Sequence, residues 1–276
     1  MNTYKNKRIL ITGGSSGIGL ALARQLSSLG ASVHLLARSP ERLQSSLKTI
    51  KEMRISPEQN FSAIQADVTD LETLAPALDQ FEQAFGAPDI VINAAGVAHP
   101  GEFAELEIET FHWVMEINYF GTVNVIKLLL PAMRKRGSGH IINFSSIAGY
   151  MGVYGYTAYG ASKYAVRGFS DALRAELKPK GIAVSVIFPP DTDTPQLAYE
   201  GPFKPPITKI LSGNAKTMTA DEVAAITLRQ AAKQRYIITP GFESSLFFTL
   251  SSLLGRLIYP IMDMQITQAI KKLKHP

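Results

Sequence analysis

The sequence predicts an α/β fold in which helices cover both faces of a seven-stranded parallel sheet. Short apolar or β-branched runs alternate along the chain with longer segments whose apolar residues recur at three- and four-residue spacing. The predicted strands are residues 8–12, 32–37, 61–65, 90–93, 140–144, 183–188 and 236–239. The predicted helices between them are residues 17–29, 40–51, 71–85, 108–134, 158–177 and 220–232. Right-handed crossovers between such strands give a doubly wound sheet.

The composition of the 276-residue chain fits a single folded domain and excludes several kinds of site. Hydrophobic residues make up 46% of the chain and charged residues 18%, which is enough apolar material for a core. The net charge of +5 is scattered except for the tail lysines Lys271, Lys272 and Lys274, so we expect no nucleic-acid partner. Cysteine is absent and the five histidines do not fall at metal-ligand spacing, so we expect no metal site.

The location follows from two further observations. The lack of cysteine indicates a reducing compartment. Only seven residues precede the first predicted strand, and the apolar run of that strand is too short for a signal peptide. We therefore expect a cytoplasmic protein.

A glycine-rich segment, 12–19, follows the first strand and leads directly into the first helix. Glycines let the backbone turn tightly and approach a pyrophosphate, and a helix N-terminus presents free N–H groups to the anion. A purely structural turn is the alternative, but strand, glycines and helix stand in the order that Rossmann-type dinucleotide sites require. We therefore expect six residues to hold the cofactor phosphates: Gly13, Ser15, Ser16, Gly17, Ile18 and Gly19.

The ends of the next three strands indicate which dinucleotide binds. Arg38 and Arg42 follow the second strand, where an acidic residue would favour NADH and a cation accommodates the 2′-phosphate of NADPH. We therefore expect NADPH, with ordinary solvated charges at a helix start as the alternative. Residues at the third and fourth strand ends are expected around adenine and ribose: Asp67, Val68, Asn93, Ala94 and Gly96.

Two serines and a tyrosine–lysine pair indicate acid–base chemistry. Ser145 and Ser146 follow the fifth strand, and Tyr159 and Lys163 lie four residues apart on the next predicted helix. Helix positions i and i+4 share a face, so both side chains point the same way. An ammonium nearby stabilises a phenolate and lowers the tyrosine pKa toward the useful range. Taken alone, such a pair is more often an ordinary surface feature.

The combination of motifs resembles the short-chain dehydrogenase/reductase family in order and spacing, over about residues 7–240. The motifs are the segments 12–19 and 93–96, Asn118, Ser146 and the pair Tyr159 and Lys163. The resemblance implies that Tyr159 donates a proton to a substrate carbonyl whose oxygen Ser146 hydrogen-bonds, with Ser145 as the alternative hydroxyl. Lys163 would lower the tyrosine pKa and hold the nicotinamide ribose, and Asn118 would anchor a water in the proton relay. It also implies a homodimer or homotetramer formed through the helices of Asn118 and Tyr159.

A finer resemblance concerns the segment 188–195, which reads Phe-Pro-Pro-Asp-Thr-Asp-Thr-Pro where most family members carry Pro-Gly. With the segments 155–159 and 165–168, it is similar to the branch that reduces 3-ketosphinganine, a long-chain 3-keto sphingoid base, with NADPH. Nicotinamide contacts are expected from Pro189, Thr192 and Thr194. Asp191 or Asp193 would pair with the substrate ammonium or only cap a turn. The alternatives are a reductase of another lipophilic ketone, steroid or 3-ketoacyl, and a non-catalytic dinucleotide-binding scaffold or sensor.

Two segments stand apart from the alternating pattern of residues 1–240. The proline-rich segment 194–214 cannot be regular helix throughout, so we expect an active-site lid, with a disordered loop as the alternative. Residues 241–276 form an apolar C-terminal extension in which 247, 250, 254, 257, 258 and 261 make one helical stripe beside the basic tail. Such a stripe suits a helix peripheral on the cytoplasmic membrane face. Packing on the protein's own core, on substrate or on a second subunit is the alternative.

Overall fold

The computed structural model describes residues 3–213 and 217–274. The strands are β1 Arg8–Thr12, β2 Ser32–Ala37, β3 Phe61–Gln65, β4 Ile90–Asn93, β5 Gly139–Phe144, β6 Ile182–Ile187, β7 Thr192–Asp193, β8 Met218–Thr219 and β9 Ile237–Ile238. The helices are α1 Gly17–Ser28, α2 Pro40–Glu52, α3 Leu71–Phe85, α4 Ile108–Met115, α5 Gly121–Arg136, α6 Thr157–Leu177, α7 Pro195–Glu200, α8 Pro206–Ser212, α9 Ala220–Ala231, α10 Phe242–Leu254 and α11 Ile258–Lys274. Single 3₁₀ turns cover Ile147–Gly149, Lys178–Lys180, Gly201–Phe203 and Gly255–Leu257.

The main sheet has seven parallel strands in the order β3-β2-β1-β4-β5-β6-β9, which confirms the predicted doubly wound sheet. The order reverses between β1 and β4, where Ile11 is paired with Ile92 and Thr12 with Asn93. Connections leave these two strands toward opposite sides, so a crevice opens at their carboxyl ends. That crevice is the position at which open α/β sheets bind ligands.

Alternating side chains of β1 divide the core into two layers. Ile9 and Ile11 pack with residues of α1, α2 and α9 on one face of the sheet. Leu10 packs with residues of α3, α5 and α6 on the other face. Because successive strand residues point to opposite faces, a strand that is apolar throughout must be covered on both. The continuous apolar runs of the sequence therefore account for the helix layers on both faces.

Local signals at helix ends fix several boundaries. Asp70 accepts a hydrogen bond from the backbone N–H of Glu72 at the start of α3. Thr219 and Glu222 form a reciprocal capping box at the start of α9. Gly137 ends α5 with a φ of 71°, a conformation that glycine adopts without strain.

Three helix and strand assignments differ from the sequence-based expectation. The predicted helix 108–134 is interrupted by a π-helical turn, Glu116–Phe120, which carries Asn118. β7 and β8 were not predicted; they are two residues long and pair with each other. The segment expected to be an irregular lid forms α7 and α8, broken at its prolines, and its last residue, 214, lies outside the described residues.

The C-terminal extension is helical and apolar, as predicted, and it consists of two helices joined by a short turn. Gly255, with a φ of 51°, and the following 3₁₀ turn separate α10 from α11. Phe248 of α10 packs against Tyr150 and Phe188, with ring centroids 5.0 Å and 5.4 Å away. By length and composition alone, Ser244–Lys274 is apolar enough to cross a membrane, with a mean hydropathy of 1.4. The extension thus packs on the domain with one side and presents apolar residues to solvent with the other.

Candidate active site

A cavity of about 760 Å³ opens at the carboxyl ends of β1, β4, β5 and β6. The predicted site residues that line it are Gly13, Ser16, Gly17, Ile18, Gly19, Ala94, Gly96, Ser146, Tyr159, Lys163, Pro189, Thr192 and Thr194. Among the described residues, its lining does not include Ser15, Arg38, Arg42, Asp67, Val68, Asn93 or Asn118. The fold therefore brings the predicted phosphate and acid–base residues into one space.

The glycine loop fits the close approach of a phosphate group. Gly13 has a φ of 67°, and a Cβ added there would lie 2.8 Å from the carbonyl oxygen of Ala94. A Cβ at Gly19 would lie 2.3 Å from the carbonyl oxygen of Gly13. In the described part of the chain, the Ser16 side chain makes no capping bond to α1, so the first-turn N–H groups remain available to an anion. The loop can hold a pyrophosphate only while these positions lack side chains.

Asn118 holds the chain beside the cavity through three hydrogen bonds. Its Oδ1 accepts from the backbone N–H of Val97 at 2.8 Å, and its Nδ2 donates to the Val97 carbonyl and to Ser162 Oγ, each at 2.9 Å. The side chain is 1% exposed. Both amide hydrogens are therefore engaged with protein atoms. The π-helical turn is what presents this side chain to Val97, as π-bulges often do at functional sites.

Asn93 is a predicted cofactor residue that lies in the core and not in the cavity lining. It is buried, and its Nδ2 donates to Asn143 Oδ1 at 2.9 Å. Asn143 in turn donates to Ser170 Oγ at 2.9 Å. These bonds join β4, β5 and α6, and so hold the strand ends that form the cavity floor.

The Tyr159 hydroxyl is hydrogen-bonded to Ser146 and Gln196, two polar residues that line the cavity. Burial raises the pKa of Tyr159, and the Glu200 and Asp191 carboxylates raise it further; hydrogen bonds from Ser146 and Gln196 oppose these effects. That Lys163 lowers the pKa of Tyr159 stays a prediction; burial and the two carboxylates raise this pKa. Tyr159 is accordingly a protonated phenol at neutral pH.

Lys163 is buried behind the tyrosine ring. Its Nζ donates to the Phe144 carbonyl at 3.0 Å and lies 5.5 Å from the centroid of the Tyr159 ring. Burial lowers the pKa of Lys163 to about 8. A Cβ at Gly96 would lie 3.4 Å from this Nζ, so Gly96 leaves the ammonium room at the cavity wall.

The two candidate serines have different hydrogen-bond partners. Ser145 Oγ donates to the backbone carbonyl of Lys163 at 2.9 Å, and this hydroxyl is buried against α6. Ser146 Oγ accepts from the Ala148 N–H at 3.2 Å and hydrogen-bonds Tyr159. Ser146 is thus the serine whose hydroxyl meets the phenol.

The predicted 2′-phosphate residues lie on the surface next to β2. Arg38 is 60% exposed, and its Nη1 lies 3.8 Å from Asp67 Oδ2. Arg42 is exposed in the first turn of α2, and its backbone N–H donates to Ser39 Oγ. Val68 is buried at the next strand end, where its carbonyl accepts from Asn124. Both guanidinium groups therefore remain accessible to a phosphate.

The segment after β6 uses its hydroxyls in local turns. Thr192 Oγ1 donates to the Pro190 carbonyl at 2.8 Å, and Thr194 Oγ1 donates to the Thr192 carbonyl at 3.1 Å. Thr194 also caps α7 by accepting from the Leu197 N–H. Asp191 lies 3.5 Å from Lys204, and Asp193 is exposed. Both aspartates are therefore exposed, and Asp191 is paired with a lysine.

Sequence reasoning missed Tyr156, Gln196 and Glu200, three polar residues that line the cavity. Glu200 Oε2 accepts from the Tyr156 hydroxyl at 2.6 Å, and Oε1 accepts from Gln196 Nε2 at 2.9 Å. The i, i+4 spacing of Gln196 and Glu200 was the available signal. It was overlooked because their segment was expected to be irregular.

The C-terminal helices complete the cavity with apolar side chains. The lining residues from α10 and α11 include Phe247, Ile258, Ile261, Met262 and Ala269. α11 packs against α8, so the proline-rich segment and the extension form one wall. Among the described residues 3–213 and 217–274, no group of three or more His, Cys, Asp or Glu side chains could hold a metal ion.

Comparison with known proteins agrees with this geometry. Residues 7–203 match the short chain dehydrogenase family. The chain is 35% identical over 244 residues to the 3-dehydrosphinganine reductase of Danio rerio, covering 88% of this chain and 74% of that protein. It is 36% identical over 246 residues to the 3-ketodihydrosphingosine reductase of Mus musculus, covering 89% and 73%. A short-chain dehydrogenase from Sphingobium yanoikuyae, solved in complex with NADPH, superposes with a TM-score of 0.76 at 25% identity, covering 91% of this chain and 94% of that one.

Proposed function

Because the chain belongs to the short-chain dehydrogenase/reductase family, we propose that it reduces the ketone of 3-ketosphinganine to the hydroxyl of sphinganine, a step of sphingolipid synthesis. Relatives that carry this activity in their names cover most of the chain. The resemblance of segment 188–195 to that branch supports the same substrate. The protein is an oxidoreductase that uses a nicotinamide dinucleotide.

The observation that carries the proposal is the Tyr159 hydroxyl, which lies beside Ser146 in a cavity with apolar walls. A ketone oxygen at that point would accept one hydrogen bond from Ser146 and the proton from Tyr159. Because burial and the Glu200 carboxylate keep the phenol protonated, Tyr159 can act as a general acid at neutral pH. The Lys163 ammonium, held by the Phe144 carbonyl, stabilises the phenolate that remains.

The cofactor would lie along the glycine loop and the strand ends. The first turn of α1 and Gly13 would hold the pyrophosphate, and Lys163 would hydrogen-bond the nicotinamide ribose. When bound, the dinucleotide supplies the hydride for the carbonyl carbon. We propose NADPH as the form used, since Arg38 and Arg42 are exposed where the 2′-phosphate would lie. Asn118 fixes Val97, next to the cavity-lining residue Gly96, through two hydrogen bonds. Its anchoring of a water in the proton relay stays a prediction.

The walls of the cavity fit a long acyl chain better than a small polar ketone. Phe247, Ile258, Ile261 and Met262 from the extension line it. We propose that the segment 194–214 closes over the substrate as a lid, on a reductase domain of residues 1–240 with the extension 241–276 added. A steroid or 3-ketoacyl substrate would use the same apolar wall. A non-catalytic scaffold would not need the hydrogen bonds among Ser146, Tyr159 and Gln196.

Membrane contact by the extension is the second part of the proposal. Apolar residues of α10, α11 and the turn between them that are exposed include Phe242, Leu246, Leu250, Leu253, Leu257, Tyr259 and Met264. The basic tail, Lys271, Lys272 and Lys274, is exposed on the same extension. Apolar side chains beside lysines suit the surface of an anionic bilayer, on the cytoplasmic face, from which a lipid substrate would enter the cavity.

Self-association is the third part. The helical segments that carry Asn118 and Tyr159 expose several large apolar side chains: Ile108, Trp113, Phe120 and Tyr164. Exposed apolar patches of this kind commonly mark interfaces between subunits. We propose that two copies meet through these helices, as a homodimer or half of a homotetramer.

The experiment that tests the substrate class is a nicotinamide absorbance assay with a panel of ketones. We expect NADPH oxidation with 3-ketosphinganine at a kcat/KM well above that with a steroid ketone or a 3-ketoacyl thioester. A higher kcat/KM with the steroid ketone or the 3-ketoacyl thioester would identify that compound class as the substrate instead. Oxidation with none of them, by protein shown to bind NADPH, would favour the non-catalytic alternative.

A further inference from the structure

The active-site cavity contains a buried carboxylate to which the acid–base mechanism assigns no contact with the substrate. Glu200 is 6% exposed and lies at the end of α7 among the cavity-lining residues. In the described residues 3–213 and 217–274, no basic side chain forms an ion pair with it. Burial of a charge without a counter-ion is unfavourable in free energy, which suggests that this carboxylate has a function.

The hydrogen bonds of Glu200 orient it without neutralising it. The Tyr156 hydroxyl donates to Oε2 at 2.6 Å and Gln196 Nε2 donates to Oε1 at 2.9 Å. Both donors are neutral groups. A carboxylate has about four acceptor positions, so two remain for a further donor. The carboxylate is therefore fixed in position and able to accept more hydrogen bonds.

Glu200 is also close to the reacting group. Gln196 hydrogen-bonds both Glu200 Oε1 and the Tyr159 side chain, so one residue separates the carboxylate from the phenol. The rings of Tyr156 and Tyr159 lie 5.8 Å apart. A substrate whose carbonyl oxygen meets Tyr159 would thus have its neighbouring substituent within reach of Glu200.

We propose that Glu200 is the counter-ion for an ammonium group on the carbon next to the ketone, and so selects 2-amino ketones over plain ketones. The inference rests on the proposed function, in which the substrate is a 2-amino-3-keto lipid. An ammonium has three donors and no acceptor, which complements the two remaining acceptor positions. The charge-assisted bonds would form away from bulk water, where they are strong.

The other acidic residues near the site are less suited to this role. Asp191 lines the cavity, but Lys204 already pairs with it at 3.5 Å. Asp193 is exposed and, among the described residues, is not part of the cavity lining. The structure therefore moves the expected ammonium partner from these aspartates to Glu200.

The test compares two substrates and three variants. The substrates are 3-ketosphinganine and its des-amino analogue, which keeps the chain, the 1-hydroxyl and the ketone. For the wild-type protein we expect kcat/KM to be at least tenfold higher with the amine. In Glu200→Gln this ratio should fall at least tenfold, whereas Asp193→Asn should leave it unchanged, since it removes a carboxylate outside the cavity.

Each outcome has a distinct meaning. Equal kcat/KM for both ketones in the wild-type protein would overturn the inference and leave ketone reduction standing, and this readout needs no variant that folds. If the ratio of kcat/KM values for amine and des-amino ketone fell at least tenfold in Asp191→Asn but not in Glu200→Gln, Asp191 would be the ammonium partner instead. A wild-type protein that binds NADPH and reduces neither ketone would overturn the proposed function, and the inference with it.

Discussion

Lys163 Nζ donates a hydrogen bond to the carbonyl oxygen of Phe144, at 3.0 Å. This bond ties α6, which carries Tyr159, to the carboxyl end of β5, and Ser146 follows just after that end. The serine and the phenol that would share a substrate oxygen are thus held by one buried lysine. Loss of Lys163 should therefore disturb both groups at once.

Replacement of Tyr159 by Phe should separate binding from chemistry. The substitution removes the proton donor and keeps the ring, so the affinity for NADPH should change less than threefold. Turnover of 3-ketosphinganine should fall by about 10²–10⁴-fold, the usual contribution of general acid catalysis. Nicotinamide fluorescence and steady-state rates measure the two effects. Lys163→Ala should reduce both, and wild-type turnover in Tyr159→Phe would remove the phenol from the mechanism.

Replacement of Arg38 by Asp should reverse the preference between dinucleotides. A charge-assisted bond contributes about 1.5–3 kcal/mol, so NADPH affinity should fall roughly tenfold to a hundredfold while NADH affinity rises. The matched control is Arg229→Asp, the same charge change at an exposed arginine of α9. Full NADPH discrimination in Arg38→Asp would show that the 2′-phosphate is bound elsewhere.

Buried histidines should make the fold sensitive to acid. Burial, with a smaller effect of Arg8, lowers the pKa of His34 from 6.5 to about 4. The unfolded chain therefore binds a proton that the folded chain does not between these values. Stability from this group is complete above pH 6.5 and is lost as the pH falls toward 4, by up to about 3 kcal/mol.

Replacing His34 by Leu should remove that part of the acid sensitivity. The free energy of unfolding in urea at pH 4.5 and pH 7 measures it, and the difference between the two pH values should shrink in the variant. His112→Leu, at an exposed histidine of α4, is the control and should leave the difference unchanged. An equal effect of both variants would contradict the assignment.

Exposed apolar residues of the extension should carry membrane binding. Leu253 and Leu257 are 78% and 61% exposed, and each would contribute at most about 1.5–3 kcal/mol on insertion. The double variant Leu253→Glu with Leu257→Glu should lose co-sedimentation with anionic vesicles and keep NADPH affinity. Ile55→Glu with Leu71→Glu, at exposed apolar residues elsewhere, should bind vesicles like the wild-type protein. A wild-type protein that ignores vesicles would leave core packing or a second copy as the role of this surface.

The sequence was informative where the signal is local. Strands β1 to β6 are short apolar runs, the phosphate loop needs glycines at fixed positions, and Tyr159 and Lys163 are four residues apart on one helix. Each of these features depends on neighbouring residues and the general geometry of helices and strands. They were predicted for that reason.

Features that depend on distant residues were missed. β7 and β8 hold two residues each and exist through their mutual pairing. Glu200 is buried, and its hydrogen-bond donor Tyr156 lies 44 residues earlier in the chain. The break at Gly255 divides a segment whose apolar periodicity suggested a single helix. Prolines that excluded one long helix in 194–214 did not exclude two short ones.

The central claim is that this protein reduces 3-ketosphinganine, and product analysis tests it most directly. Purified protein with 3-ketosphinganine and NADPH should form sphinganine, identified by mass spectrometry, in equal amount to the NADPH oxidised. The Tyr159→Phe variant, at the same concentration, should form at least a hundredfold less. NADPH-loaded wild-type protein that leaves 3-ketosphinganine unchanged, or forms sphinganine no faster than the Tyr159→Phe variant, would contradict the account.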